Sequence, residues 1–248
     1  MPAANTAPVA LVTGAARRIG AAIVRTLHGA GFDVAIHHRG SADDARALAA
    51  DLERARPDST LLLQADLAEF DRLPELVAQC VGRFGRLDAL VNNASTFTPT
   101  PLGTATPAQW DALFASNARA PFFLSQAAAP HLRTAHGAIV NLTDLYAERP
   151  LRAHTVYSMA KAALLMMTRS LALELGPDVR VNAVAPGAIL WPEDRTDAAA
   201  QQAMLARTPL GRTGTPEEVA EAVRWLLQDA RYCTGQVLHL DGGRLLGV

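Results

Sequence analysis

The 248-residue sequence contains only two cysteines, few aromatic residues and no long apolar run. Cys80 and Cys233 lie far apart and form no C-x-x-C pair, which argues against a disulfide framework or a zinc site and fits a reducing compartment. No stretch reaches the roughly 18 apolar residues that a membrane-spanning helix needs. The N-terminal residues lack the basic region and the apolar run of a secretory signal. We therefore expect a cytoplasmic protein.

Charge of either sign is scarce and balanced. With 23 basic and 24 acidic residues the net charge is −1, and no basic cluster is large enough to predict binding to nucleic acid or to a membrane surface. The seven histidines show no metal-ligand spacing, so no metal site is predicted. A hydrophobic fraction of 50% excludes intrinsic disorder and predicts one globular domain over residues 1–248, with residues 1–7 as an N-terminal tail.

Short apolar runs and amphipathic stretches alternate along the whole chain. The runs that read as strands are Val9–Thr13, Asp33–His37, Thr60–Gln64, Ala89–Val91, Ala138–Leu142, Val179–Val184 and Val237–Leu240. The stretches that read as helices are Gly20–Ala30, Ala42–Arg56, Phe70–Phe84, Thr106–Asn117, Phe122–Leu132, Thr155–Leu175 and Pro216–Leu227. Strands that lack strict alternation are typical of a parallel sheet buried on both faces. This pattern predicts an α/β, doubly wound parallel sheet of about seven strands with helices on both faces.

One long polar segment interrupts the pattern. Residues Leu190–Gln202 carry few apolar side chains after Leu190 and Trp191, and we interpret the region of about 190–208 as a mobile loop over a substrate entrance.

A glycine-containing turn joins the first strand to the first helix. In an open parallel sheet, phosphate groups bind where strands end and a helix N-terminus offers unpaired N–H groups. Gly14 permits the tight turn, and Gly20 allows the helix to pack closely on the sheet. An ordinary tight connection without a ligand is the alternative.

The second strand ends in residues that favour a phosphate over a ribose hydroxyl. His38, Arg39 and Ser41 follow it, and no acid occurs until Asp43. An acid at this place would accept the 2′-hydroxyl of NAD(H), whereas Arg39 and Ser41 can bind the 2′-phosphate of NADP(H). The sequence therefore predicts NADP(H), unless Arg39 is only a solvated surface charge.

Several further motifs follow in a recognisable order. They are Thr13-Gly14 with Gly20, Asp66, Asn92-Asn93-Ala94, Asn117, Tyr157-Ser158-Met159-Ala160-Lys161, Asn182 and Pro186-Gly187. Over nearly the whole chain this set resembles the short-chain dehydrogenase/reductase family, which implies a Rossmann-type fold. Most members carry a third glycine where this chain has Arg18, and a serine where it has Asp144, thirteen residues before Tyr157. Both departures, together with Phe97 after the Asn-Asn-Ala-Ser run, resemble the pteridine reductases.

The resemblance assigns roles to particular residues. It implies catalysis by Asp144, Tyr157, Lys161 and Asn117. The cofactor residues that it implies are Gly14, Arg18, Ile19, Gly20, His38, Arg39, Ser41, Asp66, Leu67, Asn93, Ala94, Ser95, Thr143, Tyr157, Lys161, Pro186 and Gly187. The substrate residues that it implies are Arg18, Ser95, Phe97, Asp144, Tyr157, Leu190 and Trp191. The Leu-rich helices and the segment 241–246 resemble family interfaces, which implies a homotetramer.

The residue chemistry supports reduction of a pterin or folate ring. Tyr157 and Lys161 are four residues apart on a predicted helix, where an ammonium would lower the pKa of the phenol. A carboxylate at Asp144 cannot donate to a carbonyl oxygen unless it is protonated, which disfavours simple ketone reduction. A pterin instead offers N–H donors and ring nitrogens that must gain a proton. For Asp144 itself the alternative is a cap of the turn after the fifth strand. For the protein the alternatives are a carbonyl reductase of the same family (acting on a 3-oxoacyl thioester, quinone or sugar), which leaves Asp144 and Arg18 unexplained, or a catalytically silent NADPH-binding protein.

Overall fold

The computed structural model describes residues 7–189 and 198–246, and its centre is a seven-stranded sheet. The strands are β1 (Val9–Val12), β2 (Asp33–His38), β3 (Thr60–Gln64), β4 (Ala89–Asn92), β5 (Ala138–Leu142), β6 (Arg180–Pro186) and β7 (Val237–Leu240). They lie in the order β3-β2-β1-β4-β5-β6-β7, and every neighbouring pair is parallel. The predicted α/β architecture is confirmed.

Eight α-helices accompany the sheet in the described residues. They are α1 (Arg18–Gly29), α2 (Ala42–Ala55), α3 (Leu73–Phe84), α4 (Pro107–Phe114), α5 (Ala120–Ala135), α6 (Thr155–Leu175), α7 (Ala198–Leu205) and α8 (Pro216–Gln228). Helices α1, α2 and α8 share one hydrophobic cluster with the sheet, and α3, α5 and α6 share a second. Because both faces are covered, all residues of β1, β2, β4 and β5 are buried, which explains why their sequences do not alternate.

Two predicted elements differ from the structure. The predicted helix Thr106–Asn117 begins as expected, because Thr106 forms a capping box with Gln109, but α4 ends at Phe114 and a π-helical turn, Ala115–Arg119, joins it to α5. The predicted substrate loop at about 190–208 is not wholly a loop, since Ala198–Leu205 is helical. Its Ala-rich composition favours a helix, which the polar character of the segment obscured. Leu190, Trp191 and the tail residues 1–6 lie outside the described residues.

The strand order fixes where a ligand can bind. After β3 the chain returns to place β4 beside β1, so the connections from β1 and β4 diverge at the carboxyl ends of these two strands. A crevice opens at such a switch point in doubly wound sheets. No described helix is long and apolar enough to cross a bilayer.

Candidate active site

In the turn after β1, the backbone of Gly14 packs directly against the backbone of Ala94 at the switch point. Gly14 has φ +59°, and a Cβ atom on it would lie 2.9 Å from the Cα of Ala94. Asn93 holds the same turn, because its side-chain amide donates to the carbonyls of Thr13 and Gly14, both at 2.9 Å. Only glycine fits at position 14. The N-terminus of α1 is therefore accessible at the carboxyl end of β1.

A buried histidine that sequence reasoning left without a role also fixes this turn. The Gly14 N–H donates to His37 Nδ1 at 3.2 Å, and His37 Nε2 donates to the Ala65 carbonyl at 3.1 Å. This pairing requires a neutral imidazole. The pKa of His37 is lowered to about 4, chiefly by burial and to a smaller extent by the neighbouring His38, while the hydrogen bond to Ala65 and the charge of Asp66 oppose the shift.

The lowered pKa of His37 predicts a loss of stability in acid. Between about pH 6.5 and pH 4, His37 is protonated in the unfolded chain but stays neutral in the folded protein. The free energy of unfolding therefore falls as pH decreases through this range, by roughly 3 kcal/mol at most. His37→Asn retains an acceptor near Gly14 but cannot titrate. Urea unfolding at pH 7 and pH 5 should give the variant a smaller difference than the wild type. His136→Asn, at an exposed histidine, is the control. An equal change in the free energy of unfolding between pH 7 and pH 5 in all three proteins would contradict the role assigned to His37.

A cavity of about 510 Å³ extends from the Gly14 turn along the ends of β1, β2 and β4. The predicted cofactor residues that line it are Gly14, Arg18, Ile19, Gly20, His38, Arg39, Ser41, Asp66, Leu67, Asn93, Ala94 and Ser95. Six further residues that the sequence analysis did not assign to the cofactor also line it: Ala16, Arg17, His37, Gly40, Thr96 and Ser116. His38 Nδ1 is buried and has no hydrogen-bond partner among the described residues, so a polar atom remains available to a ligand.

A second cavity, of about 190 Å³, adjoins the first and is lined by three of the four predicted catalytic residues, Asp144, Tyr157 and Lys161. The predicted residues that line it are Arg18, Ile19, Asn93, Ser95, Thr143, Asp144, Tyr157, Lys161, Pro186 and Gly187. Arg18 therefore contributes to both cavities. Its φ of +52° lies in the left-handed region, which explains why glycine is usual at this position and why arginine is strained there.

Asp144 and Tyr157 form a direct pair at the end of β5. The Tyr157 hydroxyl donates to Asp144 Oδ2 at 2.7 Å, and Asp144 Oδ1 accepts the backbone N–H of Tyr146 at 2.9 Å. The carboxylate thus caps the turn Leu145–Ala147 and binds the phenol at the same time. The turn-capping role that the sequence left open is therefore present, while the catalytic role of Asp144 stays a prediction.

The protonation of this pair differs from the sequence-based expectation. Burial raises the pKa of Tyr157 well above 10, and the charge and hydrogen bond of Asp144 raise it further, while a hydrogen bond with Ser95 lowers it. Burial also raises the pKa of Asp144. The expected lowering of the phenol pKa by Lys161 is wrong for this structure, because burial and the adjacent carboxylate outweigh it. Tyr157 is a protonated phenol at neutral pH.

Lys161 is the only lysine of the chain and is buried. Its ammonium donates to the Leu142 carbonyl at 2.8 Å and lies 5.8 Å from the centre of the Tyr157 ring. Burial lowers the pKa of Lys161 to about 8, and Asp144 opposes this shift. A buried cation therefore lies beside the Asp144–Tyr157 pair.

Asn117 lines neither cavity, but it forms hydrogen bonds with residues that do. Its Oδ1 accepts the Ser95 hydroxyl at 2.7 Å, and its Nδ2 donates to the carbonyls of Thr96 and Leu113 at 3.0 and 2.9 Å. The π-helical turn that carries Asn117 is a local irregularity of a kind found at functional sites. The structure thus joins Asn117 to Ser95, which lines both cavities.

Phe97 lies beside Tyr157 of the Asp144–Tyr157 pair, although it lines neither cavity. Its ring meets the Tyr157 ring edge-on at 4.8 Å and stacks on His154 at 4.4 Å. His154, to which the sequence assigned no role, is buried. The predicted substrate residues Leu190 and Trp191 lie outside the described residues, whereas Arg18, Ser95, Asp144 and Tyr157 converge on the smaller cavity.

Comparisons with known proteins agree with this arrangement. A family model described as enoyl-(acyl carrier protein) reductase matches residues 14–244. The chain is 39% identical to pteridine reductase 1 of Leishmania tarentolae, over 98% of each chain. It is 41% identical to a Streptomyces violaceoruber protein named as ketoacyl reductase 2 of the granaticin polyketide synthase, over 97% of each chain. It is 36% identical to the 3-oxoacyl-[acyl-carrier-protein] reductase of Staphylococcus aureus, over 94% of this chain and 96% of that protein.

These relatives are reductases, and the similarity spans nearly the whole chain in each case. The seven-stranded parallel sheet agrees with the Rossmann-type fold that the resemblance implied. The protein is therefore an oxidoreductase of the short-chain dehydrogenase/reductase family.

Proposed function

We propose that this protein is an NADPH-dependent pteridine reductase that acts on a pterin, a dihydropterin or dihydrofolate. The single observation that carries the proposal is the 2.7 Å hydrogen bond from Tyr157 to Asp144. A carboxylate in this position opposes a developing alkoxide, but it can accept from the N–H donors of a pterin and share in protonating a ring nitrogen. The 39% identity to a pteridine reductase supports the same substrate class.

The larger cavity supports binding of NADP(H). The Gly14 turn lets a pyrophosphate approach the N-terminus of α1, where no acidic side chain occurs in the first turn. Arg39 and Ser41 lie in the same lining, at the end that would hold a 2′-phosphate. The orphaned His38 Nδ1 adds a polar contact. When it is bound, NADPH supplies the hydride.

Arg39 is predicted to select NADPH over NADH. Arg39→Met removes the charge near the 2′-phosphate site, so KM for NADPH should rise by about tenfold or more while KM for NADH changes little. Initial rates with both cofactors measure this, with Arg133→Met on the exposed face of α5 as the control. An unchanged ratio of the two kcat/KM values would reduce Arg39 to a surface charge.

We assign a separate role to each residue around the substrate site. We assign the Tyr157 hydroxyl as the proton donor, because it is protonated at neutral pH and lines the smaller cavity. Asp144 orients that hydroxyl and is placed to accept a substrate N–H. Lys161 contributes positive charge beside both, and Asn117 orients Ser95 through a 2.7 Å hydrogen bond. Strained Arg18 supplies a cation to both cavities, and Phe97 offers an aromatic ring next to Tyr157 for a planar substrate.

A homotetramer is part of the proposal. Phe122 on α5 and Met159, Met166 and Leu173 on α6 are all exposed, and the three α6 residues repeat every seven positions on one face. This exposed apolar stripe on α6, together with Phe122 on α5, supports association between copies of the chain.

A carbonyl reductase of the same family is the second candidate, because two relatives at 36% and 41% identity are named as ketoacyl or oxoacyl reductases. The loss of NADPH absorbance with a dihydropterin, compared with a short 3-oxoacyl thioester, separates the two. Turnover of the dihydropterin alone is the expected result. Turnover of the thioester alone would overturn the pteridine assignment, and NADPH binding without turnover of either would support a silent binding protein.

A further inference from the structure

The C-terminal turn, residues 241–246, packs beside the loop that carries the catalytic carboxylate. Asp241 holds the turn, because its two carboxylate oxygens accept the backbone N–H groups of Gly243 at 2.9 Å and Leu245 at 2.6 Å. Arg244 lies between these two anchored residues. Its backbone and the start of its side chain are therefore fixed.

Three contacts join this turn and β7 to the loop 144–149. Arg244 Nη2 donates to the Tyr146 hydroxyl at 3.3 Å, and its guanidinium lies 5.7 Å from the centre of the Tyr146 ring. Arg149 Nη1 donates to the Arg244 carbonyl at 2.8 Å. His239 of β7 lies 3.2 Å from the Glu148 carboxylate. The loop is thus fastened from a part of the chain about 95 residues away in sequence.

Tyr146 links the contacts of Arg244 to Asp144 and Tyr157. Its backbone N–H donates to Asp144 Oδ1, while the other oxygen of Asp144 accepts from Tyr157. An arginine that holds the Tyr146 ring therefore bears on the orientation of the Asp144 carboxylate.

We propose that Arg244 is a positioning residue of the active site, which holds the loop 144–149 through Tyr146 and supplies a positive charge to Asp144. Its effect on the reaction rests on the proposed function, but its effect on Asp144 does not.

The groups that face Asp144 come from several elements. Tyr157 and Lys161 approach from α6, Tyr146 from its own loop, and Arg244 from the C-terminal turn, while Arg18 shares the cavity lining. Burial raises the pKa of Asp144, and the charges of Lys161 and Arg244 both oppose this. Removal of the Arg244 charge should move the pKa of Asp144 further upward.

Carbon-13 NMR of protein labelled at the aspartate carboxyl carbons tests this without any substrate. Asp144→Asn identifies the resonance by its disappearance. Arg244→Met should raise the pKa of Asp144 by about half a unit or more, and Arg244→Lys, which keeps the charge, should recover most of the shift. Arg133→Met on α5 is the matched control. Titration curves of Asp144 that superimpose in the wild type and Arg244→Met would overturn the proposal.

Tyr146→Phe keeps the inference testable if Arg244→Met does not fold. This variant removes only the hydroxyl that accepts from Arg244, so it should shift the Asp144 titration in the same direction by a smaller amount; no shift would count against the proposal. The pH profile of kcat/KM for the dihydropterin should move by the same amount as the NMR titration. Absence of pterin turnover would contradict the proposed function without affecting the NMR titration. Absence of a shift in the Asp144 titration would contradict the role of Arg244 alone, so the two outcomes are distinguishable.

Discussion

Replacement of Tyr157 by phenylalanine is expected to lower kcat by about 10²- to 10⁴-fold, with little change in the affinity for NADPH. The variant removes one oxygen atom, the one that donates to Asp144 at 2.7 Å and that we identify as the proton donor. The ring remains to pack against Phe97, and Lys161 is unchanged. Steady-state kinetics with a dihydropterin and fluorescence titration with NADPH measure the two quantities separately.

Tyr232→Phe is a matched control, because Tyr232 is fully exposed and the chemical change is the same. Full kcat in Tyr157→Phe would remove Tyr157 from the mechanism. A large loss of NADPH affinity without a loss of kcat would mean that the hydroxyl serves cofactor binding instead.

Replacement of Asp144 by asparagine is expected to lower kcat for the dihydropterin by about 10²-fold, because the amide cannot carry or share the proton. The substitution retains an oxygen that can accept the Tyr146 N–H, so the cap of the Leu145–Ala147 turn survives. It also removes the charge that raises the pKa of Tyr157, so that pKa should fall. The pH profile of kcat and the thermal unfolding midpoint separate the chemical effect from the structural one.

Asp144→Ser tests substrate class as well as rate. Serine is the common residue of the family at this position, and it should weaken pterin reduction while leaving the protein folded. Asp71→Asn, at an exposed carboxylate, controls for a general loss of charge. If Asp144→Asn turned over the dihydropterin at the wild-type rate, Asp144 would be a turn cap with no part in the chemistry.

The fold was accessible from the sequence because its signals are local. Apolar runs without alternation marked strands buried on both faces, and all seven occur within a few residues of their predicted bounds. The predicted helix boundaries were less accurate where the helix is locally irregular. Nothing in the residues Ala115–Arg119 signals a π-helical turn, and the helix Ala198–Leu205 was hidden by the polar residues before it.

The class of fold, the family resemblance and the residue types of the site were predictable from the amino-acid sequence, since each depends on spacing along the chain. How these residues act on one another depends on their positions in the folded protein. Burial against β5 and α6 made Asp144 and Tyr157 a hydrogen-bonded pair and reversed the expected direction of the phenol pKa. His37 and Arg244 gained their places in the same way, because their partners lie tens of residues away and protonation depends on burial and charge in three dimensions.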